Sequence, residues 1–100
     1  MAMTVEWSPR FQKEYGDQID YLIERWGEKV ARQFDQEVMR RLELIVEYPW
    51  MYPECFGIKG LRKCVVTKQT SLYNRVGESK IGLVSLWDNR RNPENFGNKF

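Results

Sequence analysis

Arginines are the residues in this sequence best suited to chemistry. Arg62, Arg75 and Arg90 lie in or just after three consecutive segments that the hydrophobic pattern predicts as strands. In an antiparallel sheet such positions can converge on the face away from covering helices. Guanidinium groups there could bind a phosphodiester bidentately and stabilise charge developing on phosphate. Arg91 and Lys68 could add positive charge to the same target-binding or phosphate-binding site. The alternative is that these side chains are solvated or pair with acidic residues.

Groups that could transfer protons are scarce. The sequence contains no histidine, which excludes Ser-His-Asp triads, HExxH zinc sites and an imidazole base. Tyr73 shares a strand face with Arg75, so it could act in catalysis, or its ring could fill the core. Asp88 lies beside the arginines, where it could equally be a turn residue. Cys55 and Cys64 fit no metal-ligand spacing, so we predict no metal and no cofactor.

Length and charge limit the kind of protein this is. A chain of 100 residues predicts a single domain over residues 1–100. Residues 1–50 carry seven Lys/Arg and ten Asp/Glu, whereas residues 51–100 carry nine and four. The basic second half suggests that one face meets an anionic partner. No segment has the length of a membrane span or the pattern of a signal peptide, so we expect a cytoplasmic protein with no membrane partner.

Two helices are predicted after a short strand at residues 3–7. Ser8 fits an N-cap and Pro9 the first helical position. Gly27 can end the first helix and separate it from the second, which makes a helical hairpin. Each helix carries one apolar stripe that is predicted to face the core. The two stripes are Phe11, Tyr15, Ile19, Leu22 and Trp26, and Val30, Phe34, Val38, Leu42 and Ile45.

The periodicity changes after residue 54. Residues 61–68, 71–76 and 80–87 are typical of strands, and the short turns between them predict antiparallel pairing. Residues 89–100 have no periodicity and are predicted to be loop. The order β-α-α-β-β-β predicts an α+β fold in which a helical hairpin packs on one face of a small antiparallel sheet.

The segment between the second helix and the first of these strands is unusually apolar. Tyr48, Trp50, Met51 and Tyr52 stand around two prolines on a connection that needs no such residues. Two interpretations are open: the segment closes the end of the core, or it docks a partner.

Six short motifs, in order, resemble those of the RelE/ParE toxins of bacterial type II toxin–antitoxin modules, often called plasmid-stabilisation proteins. Together they span almost the whole chain, so the resemblance is specific for the fold and less specific for the target. The motifs are Val5-Glu6-Trp7-Ser8-Pro9, Trp26-Gly27-Glu28-Lys29-Val30-Ala31, Tyr48-Pro49 with Tyr52-Pro53, Leu61-Arg62-Lys63-Cys64-Val65-Val66-Thr67-Lys68, Leu72-Tyr73-Asn74-Arg75-Val76, and Leu86-Trp87-Asp88-Asn89-Arg90-Arg91-Asn92-Pro93.

The resemblance implies a growth-inhibiting toxin and leaves three functions open. A ParE-like toxin would bind a target such as DNA gyrase and be neutralised by an antitoxin with an acidic, amphipathic tail. A RelE-like toxin would cleave mRNA on the ribosome, with Arg62, Arg90 and Tyr73 as catalytic residues. The third possibility is a non-toxic binding module that keeps the fold. We favour the ParE-like function because Phe96 stands where RelE-like enzymes carry a tyrosine, and a phenyl ring transfers no proton. A homodimer or a toxin–antitoxin hetero-oligomer fits either toxin.

Overall fold

A computed structural model of the chain describes residues 3–55 and 57–89. The elements follow the predicted order, and the α+β fold with a helical hairpin against a sheet is confirmed. None of the helices in these two ranges is long and apolar enough to cross a membrane. The elements are β1 (Thr4–Trp7), α1 (Pro9–Trp26), α2 (Glu28–Glu47), β2 (Arg62–Val65), β3 (Thr70–Val76) and β4 (Lys80–Asp88).

The sheet is mixed, whereas the sequence predicted an antiparallel one. Its strand order is β1-β4-β3-β2, with β2, β3 and β4 antiparallel to their neighbours and β1 parallel to β4. Tight turns fix the directions of β2, β3 and β4, because a hairpin reverses the chain. No turn joins β1 to β4, so the direction of β1 depends on how the helical hairpin returns the chain to the sheet.

The first helix is fastened to β4 at a β-bulge. Val84 is the extra residue, because Tyr73 pairs with Ser85 while Asn74 pairs with Leu83. Ser8 caps α1 by accepting a bond from the Phe11 amide (3.0 Å) and donates its hydroxyl to the Val84 carbonyl (3.1 Å).

Glu14 makes a second attachment of α1 to the same strand. Its carboxylate accepts bonds from the Ser85 hydroxyl (2.7 Å) and the Leu86 amide (3.3 Å). The bulge therefore positions the helical hairpin as well as bending the strand.

The core lies between the helical hairpin and the sheet. Phe11, Val38 and Ile45 are fully enclosed there against Leu72 and Ile81. The stripe prediction holds for most of its members, which are buried or packed against this core. It is wrong for Trp26 and Val30, which lie at the tip of the hairpin and are 64% and 37% exposed.

Residues 48–61, named here the connection, lead from α2 to β2 around the edge of the sheet. The Lys63 amide donates to the Pro53 carbonyl (3.0 Å), so the connection covers part of the outer edge of β2. On the sheet face away from the helices, Ile58 and Cys55 pack against a small cluster of Leu61, Tyr73 and Trp87. β2 is shorter than the predicted strand over 61–68, because residues 66–69 form the turn into β3.

Candidate protein-binding surfaces

Arg62 holds the connection from the helix side of the sheet. It pairs across the strands with Asn74 and shares the face of Cys64, which is buried in the main core. Its Nη1 donates to the Tyr52 carbonyl (2.5 Å), and its guanidinium lies 4.9 Å from the centre of the Trp50 ring. This distance is within cation–π range. Arg62 therefore supports an exposed aromatic side chain.

Arg75 holds the connection from the opposite face. Its Nη1 donates to the Lys59 carbonyl (3.0 Å). Gly60 has φ +81° and allows this approach, since a Cβ there would lie 3.1 Å from the same nitrogen. The predicted convergence of Arg62 and Arg75 on one face is therefore not found. Each binds a backbone carbonyl of the connection.

Lys68 is the other predicted cation among the described residues, and it does not lie beside Arg62 and Arg75. Lys68 is exposed in the turn between β2 and β3. Arg90, Arg91 and Phe96 lie outside the described residues, as does the predicted loop beyond Asn89. Their roles stay predictions.

Tyr73, the candidate for proton transfer, is enclosed. Tyr73 is 4% exposed and packs in the small cluster, which agrees with the interpretation that its ring fills the core. Burial raises the pKa of its hydroxyl above the ordinary value, and the Cys55 thiol acts in the same direction. Burial also raises the pKa of the Cys64 thiol. Both groups stay protonated at neutral pH, which suits packing better than proton abstraction.

A concave surface lies at the tip of the helical hairpin. This hairpin groove, about 430 Å³ in volume, is formed by apolar side chains of both helices and is closed on one side by the turn between β2 and β3. Its volume falls in the range of ligand clefts, roughly 300–1,000 Å³. The apolar side chains that form it are Tyr21, Leu22, Trp26, Val30 and Phe34.

The groove has little net charge. Glu37 is the one carboxylate among the described residues that line it. Arg40 and Arg41 contact that carboxylate at 2.7 and 3.0 Å, and the hydrogen bond from Arg40 is the main cause of a lowered pKa for Glu37. An apolar segment of a partner could therefore enter without desolvating an unpaired acid.

A second apolar surface stands on the connection. Tyr48, Trp50 and Met51 are more than half exposed, and with Arg62 they are named here the connection patch. Tyr52, in the same segment, packs against the main core, and its side chain is hydrogen-bonded to those of Arg41 and Cys64. The interpretation that this segment closes the core is confirmed for Tyr52. The interpretation that it docks a partner stays a prediction, and it applies to the exposed neighbours of Tyr52.

Sequence reasoning missed the hairpin groove, because it assigned Trp26 and Val30 to the core. One available signal was their position at the ends of the stripes, on either side of Gly27. Residues at a hairpin tip can extend past the sheet that covers the rest of the stripe.

Comparison with known proteins agrees with this architecture. A family model described as the ParE toxin of the type II toxin–antitoxin system parDE matches residues 5–93. No curated protein sequence matches the chain significantly.

Solved structures share the fold at low sequence identity. The chromosomal ParDE system of P. aeruginosa matches with TM-score 0.75 and 13% identity, over 87% of this chain and 96% of that one. A free E. coli RelE toxin variant matches with TM-score 0.62 and 17% identity, over 97% and 93%. The YoeB dimer of Staphylococcus aureus matches with TM-score 0.62 and 12% identity, over 85% and 94%. With a family model that spans nearly the whole sequence and a fold to match, this chain belongs to the ParE toxin family of type II toxin–antitoxin systems.

Proposed function

We propose that this chain arrests bacterial growth by binding a protein target in the cytoplasm, with DNA gyrase as the target, and that a cognate antitoxin neutralises it. Family membership supports the toxin role. We favour binding over RNA cleavage because the reactive side chains among the described residues already make contacts within the protein.

The observation that carries this choice is that the strand arginines and Tyr73 are already engaged. Arg62 and Arg75 lie on opposite sheet faces and donate to backbone carbonyls. Tyr73 is buried, and its pKa is raised by that burial. Hydrolysis of RNA needs a base, an acid and clustered cations at one phosphate. A binding toxin needs complementary surface instead, which the hairpin groove and the connection patch offer.

The hairpin groove suits the antitoxin. Antitoxin tails are expected to be short amphipathic segments, and a concave, weakly charged groove can accept the apolar face of such a segment. Lys68, exposed in the turn that closes the groove, can pair with an acidic residue of the segment. A segment that orders on binding gains its affinity mainly from apolar side chains placed in the groove.

Expression and biochemical assays test the proposed function together. We expect growth arrest when the chain is induced alone, and recovery when the small protein encoded beside it is co-expressed. The purified toxin should inhibit gyrase supercoiling and leave mRNA on translating ribosomes intact. Normal growth at confirmed soluble expression contradicts the toxin role. Arrest accompanied by ribosome-dependent mRNA cleavage contradicts the binding mechanism and supports the RelE-like alternative.

A further inference from the structure

Resting on the proposed function, we infer that the connection patch is the target-binding surface, which inserts into an apolar pocket of a folded protein with a carboxylate at its rim. The target and the antitoxin then dock on separate surfaces: the connection patch and the hairpin groove.

The composition and exposure of the patch match those of an interface centre. Trp50 is 63% exposed, and Tyr48 and Met51 are each more than half exposed. Trp, Tyr, Met and Arg are enriched in protein interfaces, and Trp, Tyr and Arg dominate the residues whose truncation costs most affinity. Tyr48, Trp50 and Met51 lie within four consecutive residues.

The patch is ordered before any partner arrives. The Arg62 guanidinium lies over the Trp50 ring and donates to the Tyr52 carbonyl. The Met51 amide donates to the Tyr48 carbonyl (3.1 Å), which closes a turn. Tyr52 anchors the segment in the core. Groups that are already fixed lose little entropy on binding, so more of their burial appears as affinity.

Shape and charge distinguish the occupant of the patch from that of the groove. The patch consists of side chains that stand out from a connection, so it fits a pocket in a folded surface. The groove is concave, so it fits a segment. The Arg62 guanidinium has five N–H donors, and one of them is directed at the Tyr52 carbonyl. A carboxylate on the target can therefore pair with the remaining N–H donors of Arg62.

Two tryptophans of nearly equal exposure provide a matched test. Trp50→Ala removes the centre of the patch, and Trp26→Ala removes an equally exposed ring from the groove. We expect Trp50→Ala to abolish growth arrest and to raise the toxin concentration that half-inhibits purified gyrase at least about 30-fold, the loss typical of an interface hot spot. Its affinity for the purified antitoxin should change less than about threefold. Trp26→Ala should show the reverse pattern.

Controls separate the possible failures. Both variants should melt near the wild-type temperature because the replaced rings are exposed. Met51→Ser provides a second patch variant, and Trp50→Phe should keep most of the activity because it keeps an aromatic ring. Full growth arrest by Trp50→Ala at equal soluble expression overturns the inference and leaves the toxin role intact. Loss of both growth arrest and antitoxin binding in Trp50→Ala, with native melting, overturns the separation of surfaces. A wild-type chain that does not arrest growth contradicts the proposed function itself.

Discussion

Trp26 and Trp50 expose 64% and 63% of their surface, but for different physical reasons. Trp26 ends α1 at the tip of the helical hairpin, where the turn between β2 and β3 leaves the groove open. Trp50 stands on the connection, where Arg62 supports its ring. One tryptophan is exposed because nothing in the described chain covers it. The other is exposed because the chain holds it outward.

The comparison teaches that equal exposure does not imply an equal role. The hairpin groove is a concave surface that the described chain leaves open, and in our proposal an added segment fills it. The connection patch is held by Arg62 and anchored by Tyr52, and in our proposal it enters a pocket of the target. Substitutions that act on one surface and spare the other can break or sharpen this distinction.

The largest effect is expected from a charge placed in the groove. Val30→Glu puts a carboxylate among apolar side chains that the antitoxin segment would cover, and burying that unpaired charge disfavours the complex. We expect antitoxin affinity to fall by about 2 kcal/mol or more, roughly 30-fold, with growth arrest retained. Titration calorimetry with the purified antitoxin measures it. Gln36→Glu, which adds the same charge at an exposed position of α2 away from the groove, is the control. Equal losses in both variants would point to general repulsion and not to the groove.

A smaller effect is expected from removing the support of the patch. Arg62→Ala eliminates a charged hydrogen bond and a cation–π contact, which together should lower the free energy of unfolding by about 1–2 kcal/mol. We also expect weaker growth arrest, because Trp50 loses its fixed orientation. Arg62→Lys should not restore the patch, since an ammonium lacks the planar fork of arginine. Urea unfolding and induction assays measure both effects.

Arg75→Ala is the matched control for Arg62→Ala. It releases the connection at the Lys59 carbonyl, on the other face of the sheet, and should lower stability by about 1 kcal/mol without changing growth arrest. Abolished growth arrest in the Arg75 variant at near-native stability would instead support the phosphate-binding role predicted for this arginine from the sequence.

The smallest effect is expected on the free energy of unfolding at alkaline pH. It involves thiol and tyrosine hydroxyl groups in or beside the connection. Burial raises the pKa values of Cys64 and Tyr73 above their ordinary values of 9.0 and 10.0, and Cys55 and Tyr52 shift in the same direction. Above about pH 9 the unfolded chain loses protons that the folded chain retains. The contribution of these groups to the free energy of unfolding should therefore be constant from pH 7 to about 9 and should fall as the pH rises through 9 and 10.

Removing one of these groups tests the origin of the alkaline loss. Cys64→Ala should reduce the part that begins near pH 9 and leave the parts due to Cys55 and to the tyrosines. Arg41, which faces Cys64 and Tyr52, keeps its charge throughout this range. Unfolding free energies from urea titrations at pH 7 to 10.5 provide the measurement. A Cys64→Ala profile parallel to the wild type would show that this thiol does not titrate on unfolding.

Much of the fold could be predicted from the sequence because its signals are local. Ser8 and Pro9 specify the start of α1, and Gly27 specifies its end, where φ is +93°. The apolar periods of 3.6 and 2 identify the helices and strands before any tertiary contact is known. The direction of β1 carries no such signal, which is why the sheet proved mixed where an antiparallel one was predicted.

The candidate site depended on register, which is a tertiary property. Arg62 pairs with Asn74, and Arg75 is the next residue, so the two arginines point to opposite faces. A shift of one residue in the turn between β2 and β3 would have placed them together. Sequence spacing alone could not distinguish these two arrangements, because both preserve the alternation of each strand.

By itself, then, the sequence determined the elements, their order, the caps of α1 and the membership in a toxin family, since all of these are written in residue types at short range. Only the tertiary structure decided which side chains the sheet covers, that Arg62 supports Trp50 and Arg75 holds the connection, and that Trp26 faces a groove. The physical reason is that a side chain's surroundings depend on the lengths and register of elements that are distant in the chain. Because the sheet is finite, it also leaves uncovered, at its edges, apolar residues that periodicity alone assigns to the core.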